Sequence, residues 1–182
     1  MTCSFYLPKW ASRRQCHSSH IPPKLTPWLF DTSSLTARLI DHCGKKFHVK
    51  VLSVDIEQPM KDESRALGLP FGQHALVRQV ILHCGDSPWV YARTIIPLKN
   101  RTGPLFPLTG LGSRPLGAVL FSKKTMRRSQ IEIASIPSCA GVFEGHLRDL
   151  PGKVWGRRSV FTLRKRKLLV SEFFLPDIPA DK

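Results

Sequence analysis

Two charges in this chain stand inside runs that otherwise have the makeup of β-strands. Arg78 lies in Leu76-Val77-Arg78-Gln79-Val80-Ile81-Leu82, and Glu172 lies in Leu168-Leu169-Val170-Ser171-Glu172-Phe173-Phe174-Leu175. Side chains alternate between the two faces of a strand. Arg78 therefore shares a face with Leu76, Val80 and Leu82, and Glu172 shares one with Leu168, Val170 and Phe174. A lone charge on an apolar face is costly unless it is paired or liganded. Either the two residues satisfy each other, or they line a pocket that receives a polar, anionic molecule. The residues alone leave both readings open.

The rest of the chain narrows the setting. At 182 residues, with 42% hydrophobic and 23% charged residues, it has the size and composition of one folded domain. No apolar run approaches the roughly 18–20 residues that a membrane helix needs. The first 30 residues carry Lys9, Arg13, Arg14 and Lys24, have no acid before Asp31, and lack an uninterrupted apolar stretch. Residues 1–24 are therefore expected to be an irregular leader rather than a secretory signal. Cys3, Cys16, Cys43, Cys84 and Cys139 are odd in number and scattered, with no C-x-x-C. That disfavours a disulfide framework or a metal site, makes each cysteine a small apolar filler, and points to a reducing cytoplasm.

The net charge of +15 is compatible with nucleic acid, an acidic membrane surface or a small anionic substrate. Basic clusters fall at Lys123-Lys124 with Arg127-Arg128, at Arg157-Arg158, and at Arg164-Lys165-Arg166-Lys167. They are expected on solvated loops and hairpin tips. No helix-turn-helix, zinc-finger or aromatic RNA-binding signature accompanies them, so no specific nucleic-acid partner is expected.

Periodicity and turn residues place the elements. Ser33 or Ser34 can cap a short helix through about Cys43, stopped by Gly44. Phe47–Val54 alternates as a strand, and a helical turn is expected around Asp62–Leu67. Strand 75–84, the turn Gly85-Asp86-Ser87 and strand 89–96 form the clearest hairpin. Residues 102–121 suggest two short helical pieces, the second over Pro115–Phe121. Ile131–Ala134 reads as a strand, 137–153 as a long loop, and Arg158–Leu163 and Leu168–Leu175 as a closing strand pair with a basic tip. This order predicts an α+β fold of one domain, an antiparallel sheet with short helices packed on one side.

No Gly-rich nucleotide loop, nucleophile elbow or metal-ligand cluster is present. The chemistry that remains is Arg78, a planar fork suited to a carboxylate, Glu172, an acceptor for a ligand hydroxyl, and the helix start at Pro115-Leu116, whose free N–H groups favour an anion.

These residues sit within a wider pattern. Trp89-Val90-Tyr91-Ala92-Arg93-Thr94-Ile95-Ile96-Pro97, then Pro115-Leu116-Gly117 before Leu120-Phe121, then Ile131-Glu132-Ile133, Trp155-Gly156-Arg157-Arg158-Ser159 and Glu172-Phe173-Phe174-Leu175-Pro176 resemble the chorismate pyruvate-lyase family in order and spacing. The likeness runs from about Leu35 to Pro179 and gives residues 25–182 a chorismate lyase-like domain with an enclosed internal site. Residues 137–153 look like an insertion, and the first 24 residues carry no recognisable match.

The resemblance implies a carbon–oxygen lyase that removes pyruvate from chorismate to give 4-hydroxybenzoate for ubiquinone synthesis, with no metal and no organic cofactor. It implies Arg78 as the carboxylate-binding residue, Glu172 as the hydroxyl contact, Leu116 as the backbone anion contact, and Leu35 where a well-known member has a pocket-side Met. Arg78 and Glu172 would be catalytic. Chorismate and its two products are the implied partners, the chain is expected to be a monomer, and peripheral contact with an anionic membrane surface is compatible with its charge. The alternative class is a non-catalytic effector-binding domain like those of GntR-type regulators, which normally follow a DNA-binding domain.

Overall fold

The computed structural model describes residues 6–16, 21–100, 108, 110–121, 125–143, 145–150 and 152–180. The strands among them are β1 (Ala11–Ser12), β2 (Phe47–Glu57), β3 (Ala75–Cys84), β4 (Ser87–Pro97), β5 (Arg127–Arg128), β6 (Glu132–Pro137), β7 (Lys153–Leu163) and β8 (Arg166–Phe174). They form one antiparallel eight-stranded sheet in the order β1-β6-β7-β8-β4-β3-β2, with β5 pairing to β7. Gly85, at φ 57°, turns β3 into β4, and Arg164 and Lys165, at φ 46° and 66°, turn β7 into β8. Two-residue turns with left-handed backbone match the right-handed twist of the strands they join.

Four α-helices are present among the described residues: α1 (Thr26–Phe30), α2 (Leu35–Cys43), α3 (Lys61–Leu67) and α4 (Leu116–Phe121). The Ser34 hydroxyl accepts from the Ala37 amide at 3.3 Å and starts α2, and Gly44 at φ 63° ends it. At α3 the Glu63 carboxylate accepts from the Met60 amide at 2.9 Å, and Gly68 at φ 66° stops the helix.

Cross-strand register assigns the two faces. Leu76, Arg78, Val80 and Leu82 of β3 share one face with Ala92 and Thr94 of β4 and with Val170, Glu172 and Phe174 of β8. α1 and α2 cover one part of this face around Trp28, Leu35 and Leu39, and α4 covers another around Leu116, Leu120 and Phe161. The opposite face carries Val77, Ile81, Tyr91, Ile95 and Phe173. It is covered by α3 through Leu67 and by the 138–150 segment through Val142, Phe143 and Leu147. The α+β sheet matches the sequence expectation. Packing on one side holds for three of these four helices, whereas α3 lies on the other face because Asp62 and Glu63 on its first turn bind arginines there.

Other expectations change. The 1–24 leader is not wholly irregular: Ala11 and Ser12 pair with Ile133 and Glu132, and the Trp10 indole donates to Asp62 at 2.8 Å. The cysteines are not all fillers. Cys43, at the end of α2, and Cys84, at the end of β3, form a disulfide with Cα atoms 5.6 Å apart. Cys139 is disulfide-bonded as well, and among the described residues only Cys16 is free. Cysteine usage therefore gives no support to a reducing compartment. The Arg157-Arg158 cluster is not solvated: both side chains are buried and ion-paired. Lys123-Lys124 lie outside the described residues, as does the first helical piece expected in 102–121 apart from its end. No helix among the described residues is long and apolar enough to cross a membrane.

β7 starts at Lys153, five residues before the strand expected from Arg158. Gly156 explains why the sequence looked like a break. A Cβ at that position would lie 2.4 Å from Phe173 Cδ1 and 3.1 Å from the Glu172 carbonyl oxygen. The Phe173 ring lies over the bare glycine and stacks on Tyr91, with centroids 5.7 Å apart. Gly156→Ala is expected to destabilise the protein by about 1–3 kcal/mol through overpacking. Equilibrium denaturation checks this, and an unchanged midpoint would refute the close-packing account.

Candidate active site

A partly enclosed cavity lies between the sheet and the helices α2 and α4. Its floor is β3, β4 and β8, which contribute Arg78, Thr94 and Glu172. Its roof is the start of α2, with Leu35 and Thr36, and the start of α4, with Leu116 and Gly117. All four residues singled out from the sequence, Leu35, Arg78, Leu116 and Glu172, border this one space.

Arg78 is 4% exposed. Its Nη2 donates to the carbonyls of Gly112 (2.9 Å) and Arg114 (3.3 Å), in the turn that leads into α4. Its Nε is buried and has no hydrogen-bond partner. Among the described residues no carboxylate pairs with it. Burial pushes the guanidinium pKa below its ordinary value, as expected for a cation withdrawn from water without a neutralising acid. It nonetheless stays charged near neutral pH.

Glu172 does not neutralise Arg78, so the internal salt bridge left open by the sequence is absent. Its partner is Arg157, which stands directly opposite on β7 and donates from Nε to Glu172 Oε2 at 2.6 Å. Arg157 is fully buried. Its Nη1 also donates to the carbonyls of Trp28 and Asp31, both at 2.7 Å, and so ties the α1–α2 connection to the sheet. Arg128 adds a second tie, from Nη1 to the Thr32 carbonyl at 3.2 Å, and its Nε donates to the Ser159 hydroxyl at 3.0 Å. Burial lowers the Arg128 pKa and nearby Arg157 lowers it further, against the opposing pull of Glu172 and Asp31. Burial would raise the Asp31 carboxyl, but hydrogen bonds from Ser33 and the charge of Arg38 bring it below the usual range.

Arg157 and Arg128 were not among the candidates read from the sequence. A signal was available for Arg157. Two consecutive arginines in a strand must face opposite sides, so a sheet covered on both faces buries both.

The helices close over the cavity at a narrow seam. A Cβ on Gly117 would lie 2.7 Å from Thr36 Oγ1 and 3.4 Å from Ser34 Oγ, so glycine is what lets α4 approach the start of α2. No cluster of three or more metal-ligating side chains occurs among the described residues.

The sheet and the helices thus bring a buried arginine with no paired acid and a glutamate held by Arg157 to one cavity. The chain matches the chorismate lyase family over residues 8–180 and belongs to it. The probable chorismate pyruvate-lyase of Azoarcus sp. (strain BH72) is 43% identical over 162 residues, 85% of each chain. That of Pseudomonas aeruginosa (strain UCBPP-PA14) is 37% identical over 160 residues, 88% of each chain. Among solved structures, a GntR-family transcriptional regulator from Bacillus cereus superposes with a TM-score of 0.56 at 12% identity, covering 76% of this chain and 97% of that one. The ligand-binding domain of a GntR-family regulator from Bordetella bronchiseptica gives 0.53 at 17% identity, covering 72% and 86%. These two likenesses show a shared fold and nothing further. The family match begins at residue 8, well before Leu35, in agreement with the pairing of β1 to the sheet.

Arg157→Ala is expected to leave Glu172 without its partner while keeping Arg78 in place. Removing one member of a buried ion pair costs about 3–5 kcal/mol, and Arg157→Lys should restore part of it. Chemical denaturation of both variants checks this, and equal stability of Arg157→Ala and the parent would refute the pairing.

Proposed function

We propose that the protein removes pyruvate from chorismate to leave 4-hydroxybenzoate, without a metal or an organic cofactor. The observation that carries this reading is Arg78, a buried guanidinium with a free Nε and no acid, at one end of a partly enclosed cavity whose other end holds Glu172. Arg78 is level with Thr94 and Val170, and Glu172 with Ala92 and Val80. At the usual strand spacing and rise, their Cα atoms are roughly 12 Å apart. Two side chains reaching inward reduce that to the length of one substituted ring.

Chorismate has a ring carboxylate, a ring hydroxyl and an enolpyruvyl ether on a cyclohexadiene. The ether C–O bond breaks, the proton on the neighbouring hydroxyl-bearing carbon leaves, and the ring becomes aromatic. The released enolpyruvate ketonises to pyruvate. Aromatisation supplies much of the driving force, so the protein's part is orientation and charge stabilisation. In this reading Arg78 and the Leu116 amide hold the ring carboxylate, and Leu35 packs on the ring. Glu172, fixed by Arg157, accepts from the ring hydroxyl. The closed apolar site strengthens these contacts and makes product escape depend on the helices above it.

Purified protein is expected to form pyruvate and 4-hydroxybenzoate from chorismate in excess chelator. Activity lost to chelator and restored by a divalent ion would overturn the cofactor-free mechanism, and no pyruvate at all would overturn the reading. The same assay separates it from an effector-binding domain, which holds its ligand unchanged.

Arg78→Ala should weaken 4-hydroxybenzoate binding by about 2–5 kcal/mol, the cost of truncating one side of a buried charged contact. Arg78→Lys should also bind poorly, because an ammonium cannot make the forked contact. Glu172→Gln keeps an acceptor for Arg157, so the fold should survive while kcat falls and the product still binds. Isothermal titration beside steady-state kinetics checks both positions. Full-strength binding by Arg78→Ala, or an unchanged kcat in Glu172→Gln, would remove that residue from the site.

A further inference from the structure

Chorismate carries two carboxylates. Arg78 and the Leu116 amide account for the one on the ring and leave the one on the enolpyruvyl ether without a cation. A second carboxylate withdrawn from water with nothing to pair it would be costly. The charges behind the Glu172 end of the cavity answer this need.

Arg157 and Arg128 stand there, on the same face of the sheet as Glu172. Arg157 is opposite Glu172 across the β7–β8 ladder, and Arg128 is opposite Phe161, which borders the cavity. The Arg128 guanidinium lies 5.3 Å from the centre of the Phe161 ring. Between Arg157 and Phe161 on β7 stands Ser159, level with Val170 of the cavity floor, and its hydroxyl accepts from Arg128 Nε at 3.0 Å.

Two observations mark this cluster as short of an anion. Arg157 Nη2 is buried and has no hydrogen-bond partner, although Nε and Nη1 of the same fully buried guanidinium are both used. The two guanidiniums also share one carboxylate, that of Glu172. Arg128 otherwise donates to neutral groups, the Ser159 hydroxyl and the Thr32 carbonyl, and the nearby acid Asp31 is held by Arg38 at 3.0 Å. Burial, and then the charge of Arg157, lower the Arg128 pKa, as expected for two cations held close together. With Arg78 included, three guanidiniums stand at or behind the cavity wall against the one carboxylate of Glu172. Chorismate, a dianion, matches that excess.

We propose that Arg157 and Arg128 form a subsite for the carboxylate of the enolpyruvyl ether, so that the protein receives a dianion with one carboxylate near each end of the cavity. This rests on the chorismate reading and extends it to the leaving group. The ether oxygen is on the ring carbon next to the hydroxyl-bearing one, so a hydroxyl at Glu172 directs the side chain toward the groups beside Glu172. Arg157 Nη2 supplies a buried donor and Arg128 the second charge. Both cations then also face the negative charge that develops on the departing enolpyruvate. Arg128 lines a surface cleft as well, with Phe30, Thr32 and Gln130, so the leaving-group subsite adjoins solvent on the side away from Arg78. 4-Hydroxybenzoate has no second carboxylate and leaves this subsite unused.

Two unreactive ligands of nearly equal size test the proposal. 3-(Carboxymethoxy)-4-hydroxybenzoate keeps the ring carboxylate, the hydroxyl and an ether-linked carboxylate, and 3-ethoxy-4-hydroxybenzoate replaces that last carboxylate with a methyl group. Isothermal titration of the full chain compares both with 4-hydroxybenzoate. The parent is expected to bind the carboxymethoxy ligand about tenfold or more tighter than the ethoxy ligand. Arg128→Gln should remove most of that difference while the other two ligands stay within about threefold of their parent affinities. A merely structural Arg128 would weaken all three alike. Arg157→Lys, which can still pair with Glu172 but lacks Nη2, should narrow the difference as well. In steady-state kinetics Arg128→Gln should raise KM for chorismate without changing inhibition by 4-hydroxybenzoate. A parent that binds the two 3-substituted ligands equally overturns the subsite, and so does a difference that survives in Arg128→Gln. A parent that fails to bind 4-hydroxybenzoate itself overturns the proposed function and the subsite with it, so the two failures are told apart.

Discussion

Glu172 gives its charge to Arg157 across one rung of the β7–β8 ladder, and that pairing leaves Arg78 a buried cation without an acid. Four arginines are buried among the described residues: Arg78, Arg93, Arg157 and Arg158. Arg93 has Glu63 and Glu57, Arg158 has Asp62 and Glu132, and Arg157 has Glu172. Of these four, only Arg78 is left to two backbone carbonyls. Carbonyl dipoles partly solvate a guanidinium but do not cancel its charge. A buried cation left in this state destabilises the empty protein, and an anionic ligand relieves that penalty on arrival. In the proposed function, anion binding at this spot would follow from how the other arginines are matched.

The matching also works through the thickness of the sheet. On the face away from the cavity, Gln79, Arg93, Ser171, Arg158 and Glu132 stand side by side across five strands, one residue from the level of Glu172 and Arg157. Asp62 and Glu63 at the start of α3 bind Arg158 at 3.0 Å and Arg93 at 2.8 Å, and Trp10 holds Asp62 from the other side. For Arg93, burial alone would lower the pKa, and Glu63 and Glu57 more than reverse it. α3 therefore acts as an electrostatic bolt on the back of the sheet. It fixes β4 and β7 where their neighbouring residues, Thr94 and Arg157, face the site or its supports. Adjacent residues of one strand serve opposite faces, so stiffness on one side becomes precision on the other.

Much of this was legible in the sequence because it follows from alternation. The hairpin of β3 and β4, the caps of α2 and the in-facing positions of Arg78 and Glu172 all come from a period of two or from turn residues. What escaped depended on contacts between distant segments. Trp155-Gly156-Arg157-Arg158 looks like turn and surface material. It is interior strand because Phe173 fills the space over Gly156 and because acids from β8, β6 and α3 meet the two arginines. The Cys43–Cys84 bond joins residues 41 apart, and no spacing rule foretells that the ends of α2 and β3 meet. Ala11–Ser12 is too short to carry a strand signal and is a strand only because β6 has a free edge there.

The same ties link the cavity floor to its roof. Arg78 Nη2 holds the turn at Gly112–Arg114, and that turn leads directly into α4, which closes on α2 at Gly117 and Thr36. α4 has six residues and α1 has five, too short to be stable apart from what they pack against. A ligand carboxylate at Arg78 would compete with, or add to, the carbonyls that position α4. At the far end Arg157 links Glu172 to the Trp28 and Asp31 carbonyls beneath the α1–α2 connection. Each ligand contact thus shares a guanidinium with one part of the roof. Under the proposed function, filling the site and closing it would be coupled, and opening it would require giving up contacts at both ends of the ring.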